Sequence, residues 1–422
     1  MKILQLCKKF PYPLKDGESI AVNSLSRALC ELGCEVKLLA MNTRKHFFDL
    51  KQLPASFNHY ADIQTIEIDN RVKPFDAFLN LFSNKSYHIA RFCSQAFGQK
   101  LKELLQRETF DVIQLETLYL APYIPLIRAH SNAIIAMRAH NVEFEIWHRV
   151  AKNASFFLKK WYLQYLTKKL KAYEIHQLQH YDLLLPITQR DQEIFHFLGY
   201  TGQSVVTPVG IDSGLYAAPG RTTDSALSIG FIGSLDWIPN QEGLIWFLEK
   251  VWKNLQARFP QLQLHIAGRN TPAWMKRLRL PNVIVHGEIA DAAAFINSHP
   301  IMIVPLLSGS GMRIKILEGM ALERLIITTH IGLEGIDAVH QKEVFIADDV
   351  SGFEKALRIC HDQPNLVRQI GKQARSFVLE QYDSRNIAQR VLETYQQLKE
   401  GKAGVPTSDR SVFQSFGYKI FD

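Results

Sequence analysis

Two stretches of the chain open with the same succession of apolar and polar segments. In the first, the segments are an apolar run, a helix-periodic segment and a second apolar run, at Lys2–Cys7, Ile20–Leu32 and Glu35–Ala40. In the second, the corresponding segments are Ser228–Gly233, Gln241–Ala257 and Gln261–Ala267. Runs that are apolar on both faces are typical of buried parallel strands. The pattern therefore predicts an α/β protein with two doubly wound domains.

The composition changes between these two stretches, and Thr207–Asp212 begins the best candidate for a linker. We therefore predict an N-terminal domain at 1–207 and a C-terminal domain at 208–383. The amphipathic segment 384–400 is predicted to be a helix that can pack back on the N-terminal domain, and 401–422 an irregular tail. Ligands of doubly wound sheets bind at the carboxyl ends of the strands. Loops with suitable side chains follow strands in both halves, which favours a two-substrate enzyme.

The segment Ile301–Ile336 carries the strongest chemical signal. An apolar run ends at Pro305, a Gly/Ser turn follows, and a predicted helix then carries Arg313, Lys315 and Glu318. Two cations in the first turn of a helix oppose the positive end of its dipole, and a bound anion would relieve that conflict. Backbone N–H groups at such an end commonly bind phosphate. Glu318 lies three residues after Lys315 on the same face, where its carboxylate could accept hydrogen bonds from a ribose diol.

A phosphate site and a diol acceptor together indicate a nucleotide pocket. The alternative is an ordinary Gly/Ser loop before an amphipathic helix, with Lys315 and Glu318 forming a surface ion pair worth a few tenths of a kcal/mol. A short motif taken alone leaves both interpretations open.

A second polar cluster lies in Ala133–Glu145. An apolar strand is predicted to end at Met137. The loop after it carries four hydrogen-bonding side chains, Arg138, His140, Asn141 and Glu143. Packing does not readily explain such a cluster at the carboxyl end of a strand, so we expect a functional site here. In it, His140 could bind an acceptor or sugar hydroxyl or assist proton movement. The alternative for His140 is a structural role.

Composition and charge restrict the class of protein. Of the 422 residues, 47% are hydrophobic and 21% charged, as in ordinary soluble proteins. No run approaches the ~18 apolar residues of a membrane span, and the start has too short an apolar core for a signal peptide. Five cysteines without metal-type spacing favour reduced thiols and a cytoplasmic location. The net charge of +8 is spread along the chain, which favours attraction to an anionic membrane or substrate over nucleic acid as a partner.

The segment Phe156–Tyr173 places Phe157, Trp161 and Tyr165 four residues apart on one face of a predicted helix, with lysines beside them. One interpretation is a helix packed on the sheet with a solvated basic face. The other is a helix that rests at the inner face of the cell membrane, with aromatic side chains inserted and lysines at the headgroups. The aromatic segment Phe75–Phe97 would extend such a surface.

Several enzyme classes lack their motifs in this chain. It contains no GxxxxGK(S/T), the motif of P-loop NTPases, and neither first-strand loop contains the GxGxxG of dinucleotide oxidoreductases. No GxSxG indicates an α/β-hydrolase. Because no Asp-x-Asp follows a predicted strand, we expect no metal site.

Over about residues 1–395, the sequence resembles the retaining glycosyltransferases of family 4, the glycosyl transferases group 1 type. The resemblance rests on VTPVGID, FIGSLDWIPNQEGL and LHIAGRN and, most specifically, on GSGMRIKILEGMA followed by IITT and GLEGI. It implies the GT-B fold, in which two Rossmann-like domains face each other across a cleft.

The resemblance assigns roles to individual residues. Glu318 matches the acidic residue that binds the donor ribose, and Arg313 and Lys315 fit the basic residues that bind the pyrophosphate. His140 matches a histidine that contacts the transferred sugar. Further donor contacts are expected from Gly233, Ser234, Arg269, Ser310, Gly311, Met312 and Gly319. The acceptor candidates are Gly17, Arg138, Asn141 and Glu143.

Three features depart from the family pattern. The family's pyrophosphate-binding Arg and Lys after the first two strands of the C-terminal domain have no clear match, because Ser234-Leu235 follow the first strand and Arg269 the second. Phosphate binding is therefore expected at Arg313 and Lys315 instead. Ser310 stands where many members carry a glutamate, and Asp16-Gly17-Glu18 stands where Gly-Gly is common, so only Gly17 is carried over.

The expected function is that of a metal-independent retaining glycosyltransferase without a cofactor. Its co-substrate would be a nucleotide diphosphate sugar based on UDP or GDP, and its acceptor a saccharide or lipid-linked saccharide in polysaccharide or glycolipid synthesis. One alternative is another activity of the same fold, such as a nucleotide-sugar epimerase or hydrolase. The other is a non-catalytic scaffold partner in a membrane-associated synthesis complex, which the serine at position 310 keeps open.

Overall fold

The structure is a computed structural model that describes residues 1–14, 16–73, 75, 79–83, 85–216, 228–309 and 311–403. These residues form two compact units, each with its own sheet. Unit 1 contains Met1–Pro208 and the helical residues from Ile387 onward, and unit 2 contains Val209–Asn386. Within the described ranges, no helix combines the length and apolarity needed to cross a membrane.

Unit 1 is built on seven strands. They are β1 (Lys2–Cys7), β2 (Glu35–Thr43), β3 (Asp62–Ile68), β4 (Val112–Glu116), β5 (Ile134–Ala139), β6 (Leu183–Pro186) and β7 (Gln203–Ser204). All neighbours are parallel, in the order β3-β2-β1-β4-β5-β6-β7. The helices are α1 (Gly17–Glu31), α2 (Tyr87–Ala90), α3 (Gln95–Arg107), α4 (Ile124–His130), α5 (Glu143–Lys152), α6 (Phe157–Gln177) and α7 (Gln189–Phe197).

Unit 2 is built on six strands. They are β8 (Ser228–Ile232), β9 (Gln263–Ala267), β10 (Val283–Gly287), β11 (Ile301–Val304), β12 (Leu325–Thr328) and β13 (Phe345–Ile346). All neighbours are parallel, in the order β10-β9-β8-β11-β12-β13. The helices are α8 (Ile238–Trp246), α9 (Lys253–Arg258), α10 (Ala273–Lys276), α11 (Ala292–Asn297), α12 (Ile314–Ala321), α13 (Val350–Asp362) and α14 (Pro364–Gln381).

The predicted α/β class with two doubly wound sheets is confirmed. The strand order changes direction between β1 and β4 in unit 1 and between β8 and β11 in unit 2. Ligand sites of such sheets lie at the carboxyl ends of these strands. The helix predicted at Ile20–Leu32 begins earlier, at Gly17, because the Asp16 side chain caps it by accepting a hydrogen bond from Ser19 N at 3.0 Å.

Strand alternation places four polar side chains on one face of the unit 1 sheet. Leu4, Leu6, Ile113 and Leu115 face one core cluster, and the residues between them face the other way. The four polar residues on that opposite face, each at most 1% exposed, are Gln5, Gln114, Glu116 and Arg138. Their strands β1, β4 and β5 are neighbours, so the side chains lie close together.

The last helix, α15 (Ser384–Ala403), covers this face. Ile387, Val391 and Tyr395 pack in the same core cluster as Val22 of α1. The Tyr395 hydroxyl donates a hydrogen bond of 2.7 Å to Gln114 Oε1. The helix therefore contributes a polar group as well as apolar area to the unit 1 core.

Candidate functional site

The first candidate site lies at the carboxyl ends of β8 and β11, where the loop after β11 leads into α12. Gly309 and Gly311 have φ values of +113° and +88°, in the left-handed region that favours glycine. The predicted donor residue Ser310 lies outside the described residues. Arg313 is the N-cap and Ile314 the first residue of α12. Lys315 therefore lies in the first turn, as predicted, whereas Arg313 lies just before it.

Lys315 is a half-buried cation without a carboxylate beside it. Its Nζ donates a hydrogen bond of 3.1 Å to Asn240 Oδ1 and lies 4.5 Å from the centre of the Phe231 ring. Burial, and secondly the charge of Arg313, lower the pKa of Lys315 to about 7. Its partners within the described chain are thus an amide and an aromatic ring. An ammonium group in such a place gains strongly from a bound anion.

Gly233 and Asn240 lie next to the ammonium group of Lys315. Asn240 is 3% exposed, and its Nδ2 donates a hydrogen bond of 2.8 Å to Ser234 O, which fixes Oδ1 toward Lys315. A Cβ at Gly233 would lie 2.9 Å from Asn240 Nδ2 and 3.3 Å from Lys315 Nζ. Only glycine therefore leaves the space next to the ammonium group open.

Arg313 is 7% exposed and lies over Trp237, with its Cζ 5.1 Å from the ring centre. Burial lowers its pKa, and the charge of Glu334 acts in the opposite direction. A Cβ at Gly309 would lie 2.7 Å from Arg313 Nη2, so the glycine lets the loop pass close to the guanidinium group.

Glu318 lies one turn further along α12 and is half-buried. Its Oε1 accepts a hydrogen bond of 2.9 Å from the Tyr216 hydroxyl. Burial raises the pKa of Glu318, and the hydrogen bond opposes that effect. Arg375 Nη1 donates a hydrogen bond of 2.9 Å to the Tyr216 carbonyl. This bond fixes the backbone of Tyr216 and so helps to keep its hydroxyl group beside Glu318.

The other predicted donor residues differ in their surroundings. Ser234 Oγ donates a hydrogen bond of 2.7 Å to Asp236 Oδ1 and accepts one of 3.4 Å from Arg269 Nε, at the exposed ends of β8 and β9. Met312 packs against the core beneath α12, and a Cβ at Gly319 would lie 2.7 Å from Ile326 Cδ1. Packing accounts for these last two positions, and their donor role stays a prediction.

The second candidate site lies at the carboxyl ends of β4 and β5. His140 Nε2 lies 2.7 Å from Oε2 of Glu116, the last residue of β4 and fully buried. Burial opposes ionisation of Glu116, but the charge of Arg138 and hydrogen bonds from His140 and Gln5 outweigh it and lower its pKa. An ionised carboxylate only accepts hydrogen bonds, so Nε2 is the donor. The hydrogen bond fixes the orientation of the imidazole ring and uses one of its two nitrogens.

The predicted loop position of Arg138 is wrong. Strand β5 continues to Ala139, two residues beyond Met137, and Arg138 is fully buried within it. Its Nη1 donates a hydrogen bond of 2.8 Å to Ala21 O and lies 3.9 Å from Glu116 Oε2. The guanidinium group supplies counter-charge beneath the site, because strand alternation turns it into the core rather than toward an acceptor.

Glu143 also lies outside the predicted loop, as the first residue of α5. It is 6% exposed, accepts a hydrogen bond of 3.0 Å from the Tyr119 hydroxyl, and its backbone N donates one of 2.9 Å to Glu174 Oε1. Burial, and secondly the charge of Glu143, raise the pKa of Glu174 to about 8. Asn141 is half-buried, and a Cβ at Gly17 would meet no atom within 4 Å, so space is open there.

Sequence reasoning missed four side chains of these sites, Asn240, Tyr216, Trp237 and Glu116. Glu116 left a signal, since it is the charged residue that ends the strand segment Val112–Glu116. Tyr216 left none, because its bond to Glu318 spans 102 positions of the chain. Within the part of the chain that the structure describes, no group of His, Cys, Asp and Glu side chains could hold a metal ion.

Comparisons with known proteins agree with this architecture. Residues 226–363 match the family described as Glycosyl transferases group 1. An uncharacterised 44.6 kDa protein in the cps region of Klebsiella pneumoniae is 29% identical over 166 residues, which are 37% of this chain and 43% of that protein. The chain thus spans less than half the length of this relative.

Solved structures resemble nearly the whole chain. Sucrose-phosphate synthase from Thermosynechococcus elongatus has a TM-score of 0.65 at 17% identity, covering 95% of this chain and 100% of its own. HepE of Anabaena in complex with UDP has a TM-score of 0.63 at 14% identity, covering 94% and 100%. The Escherichia coli trehalose-6-phosphate protein with bound UDP-2-fluoro glucose has a TM-score of 0.61 at 13% identity, covering 94% and 99%. These neighbours are GT-B glycosyltransferases, and the predicted GT-B fold is confirmed.

Proposed function

We propose that this chain, which has the GT-B fold and a glycosyl transferases group 1 domain, is a retaining glycosyltransferase with a nucleotide diphosphate sugar as donor. The observation that carries the proposal is Lys315, a half-buried ammonium group hydrogen-bonded to an amide at the carboxyl ends of β8 and β11. A bound diphosphate supplies the negative charge that the described surroundings of this lysine lack.

The proposed reaction relies on charge stabilisation. Arg313, Lys315 and the N–H groups at the start of α12 stabilise the negative charge that grows on the departing diphosphate. Glu318 accepts hydrogen bonds from the ribose. The acceptor hydroxyl attacks from the face that the diphosphate leaves, and its proton passes to a phosphate oxygen. His140, oriented by Glu116, positions the transferred sugar, and the reaction uses no metal ion or cofactor.

The substrates follow from the same proposal. The cps region of the Klebsiella relative supports a role in polysaccharide synthesis, with a saccharide or lipid-linked saccharide as acceptor. The UDP and UDP-2-fluoro glucose in the similar structures make a uridine diphosphate sugar the first donor to test, with a guanosine diphosphate sugar next. The protein would act at the cytoplasmic face of the membrane if the acceptor is lipid-linked.

A thermal-shift screen of UDP, GDP, ADP and CMP tests the nucleotide, since ligand binding to the native state raises its melting temperature. The nucleotide diphosphate sugar that stabilises the protein is then incubated with and without candidate acceptors. Release of nucleotide that depends on the acceptor supports a transferase. Release without an acceptor supports the hydrolase alternative, and a protein that binds no nucleotide supports the scaffold alternative.

We expect Glu318→Gln to weaken nucleotide affinity about 10- to 100-fold, because each hydrogen bond to a charged acceptor contributes about 1.5–3 kcal/mol. Isothermal titration with the nucleotide found in the screen measures the change. Tyr216→Phe is the matched control, since it removes the hydroxyl that bonds Glu318 and keeps the carboxylate. An unchanged affinity in Glu318→Gln would show that the donor ribose binds elsewhere.

We expect His140→Ala to lower kcat of the transfer about 100-fold while nucleotide affinity stays within about twofold, because a loosely placed sugar reacts slowly. The exposed His148, in the same unit, provides the control His148→Ala. If His140→Ala retains the full transfer rate, this histidine has only a structural role.

A further inference from the structure

We propose that unit 1 docks on an anionic lipid bilayer through an exposed apolar surface, called here the aromatic surface. Its members are Leu79, Phe82, Phe157, Leu158 and Trp161. The sequence allowed two interpretations of α6, a helix packed on the sheet or a helix at a membrane. In the structure, the exposed apolar surface includes residues outside that helix. Bilayer docking goes beyond the proposed transfer reaction, since it does not depend on that activity.

Helix α6 packs into the core through its residues from Leu166 onward. The buried residues of this helix of 21 residues begin at Leu166 and end at Gln177. None of its first nine residues, 157–165, is buried, and the apolar side chains of Phe157, Leu158 and Trp161 are 71%, 54% and 60% exposed. A contiguous group of large exposed apolar side chains is typical of a binding surface rather than of solvent-facing helix.

A second chain segment joins the same surface. The Tyr165 hydroxyl donates a hydrogen bond of 2.7 Å to Leu81 O, and Lys169 Nζ donates one of 2.7 Å to Asn80 O. These bonds hold the turn that carries Leu79 and Phe82, which are 50% and 81% exposed, against α6. The prediction had Tyr165 on the membrane-facing stripe with Phe157 and Trp161. In the structure, its hydroxyl fixes the neighbouring turn instead.

The positive charge around the aromatic surface favours an anionic bilayer as its partner. Residues 146–173 contain seven Lys and Arg and no Asp or Glu, and residues 77–102 also contain no Asp or Glu. Lysines such as Lys159 and Lys168 are exposed. Each lysine near an anionic bilayer adds to the attraction, whereas a second copy docking by the same face would meet its own positive charge. Aromatic side chains flanked by lysines are the composition of interfacial helices.

A basic cavity opens beside the Leu79 end of the surface. Among the described residues, it is lined by Arg71, Lys73 and Arg91 and by Asp69, which pairs with Arg71 at 2.8 Å. The cavity therefore has a surplus of positive charge where a bilayer would place its headgroup phosphates. Inserted apolar side chains would contact the acyl chains of an anionic lipid, and the adjacent basic cavity would bind its headgroup phosphate.

The test is co-sedimentation of the full chain with vesicles of phosphatidylcholine alone and of phosphatidylcholine with phosphatidylglycerol, at low and high salt. Wild type is expected to bind the anionic vesicles at least tenfold more tightly than the neutral ones and to lose most binding at high salt. Phe157→Ser with Trp161→Ser, and separately Lys159→Glu with Lys160→Glu, should each weaken binding at least tenfold. All four side chains lie among the first nine residues of α6, none of which is buried, so the unfolding temperature should stay within about 2 °C of wild type.

Two matched controls are available in the chain. Phe197, in unit 1 and 90% exposed, gives Phe197→Ser, and the exposed pair Lys250 and Lys253 gives a double charge reversal in unit 2. Both should bind vesicles within twofold of wild type. The proposal is overturned if wild type binds anionic and neutral vesicles with equal affinity, or if the α6 variants bind anionic vesicles as tightly as wild type does. It is also overturned if those variants change only the oligomeric state in size-exclusion chromatography. Nucleotide binding should be unaffected in every variant, so failure of the docking proposal leaves the proposed function standing.

Discussion

Replacing Lys315 with methionine is expected to stabilise the free protein while weakening donor binding. Burial lowers the pKa of this lysine from 10.5 to about 7, so the folded state disfavours its charged form. Each pKa unit corresponds to about 1.4 kcal/mol, and for this half-buried group we expect a gain of about 3–4 kcal/mol at pH 7. Methionine has similar length and no charge to desolvate. Thermal or urea unfolding of both proteins measures the difference.

The gain should shrink as the pH rises. Between about pH 7 and 10.5 the unfolded chain holds the lysine proton and the folded chain does not, so wild-type stability increases with pH in that window. The advantage of Lys315→Met is therefore largest at pH 7 and below. It should fall by about 1.4 kcal/mol for each pH unit above that. A constant advantage across this range would contradict the desolvation argument.

Donor binding should change in the opposite sense. Losing the ammonium group is expected to weaken binding of the nucleotide diphosphate sugar about 100-fold. Wild-type affinity should also fall above pH 7, by up to about tenfold per pH unit, as Lys315 loses its proton. The phosphates of a nucleotide sugar do not titrate in this range. Lys315→Arg, which stays charged, should make the affinity independent of pH. Wild-type binding that does not vary between pH 6 and 9 would contradict the lowered pKa of Lys315, and an unchanged affinity in Lys315→Met would remove Lys315 from the donor site.

Replacing Glu116 with leucine is expected to destabilise unit 1 by about 3–5 kcal/mol, because it leaves a buried guanidinium group without counter-charge. Glu116 and Arg138 are both fully buried, and their charged atoms lie 3.9 Å apart. The same variant frees the His140 ring, so transfer should slow by a factor similar to that of His140→Ala. Urea unfolding and transfer assays measure the two effects.

A double variant separates the two roles of Glu116. Adding Arg138→Met removes the unpaired charge and should restore about half or more of the lost stability. It cannot restore the transfer rate, since His140 still lacks its hydrogen-bond acceptor. If the double variant regains both stability and rate, then Glu116 acts only by pairing with Arg138. If Glu116→Leu is as stable as wild type, the buried pair of Glu116 and Arg138 does not stabilise unit 1.

Local patterns were enough to predict the α/β class and the parallel strands, because strands buried on both faces leave continuous apolar runs. They were enough to place Lys315 and Glu318 on one helix face, since residues three apart on a helix are neighbours by its geometry alone. The same patterns were insufficient for Arg138. Its position one residue past a predicted strand end suggested a loop, and the strand simply continued.

What the sequence by itself determined, then, is the α/β class, the apolar runs that form parallel strands, and the helix face that Lys315 and Glu318 share. These are properties of segments short enough for backbone geometry to dictate. Only the tertiary structure decided the partners: Asn240 for Lys315, Tyr216 for Glu318, and Glu116 for His140. It also decided that the first nine residues of α6 are not covered by the unit 1 core. Such contacts join distant segments of the chain and depend on strand order and packing. The local pattern of apolar and polar residues contains no information on either.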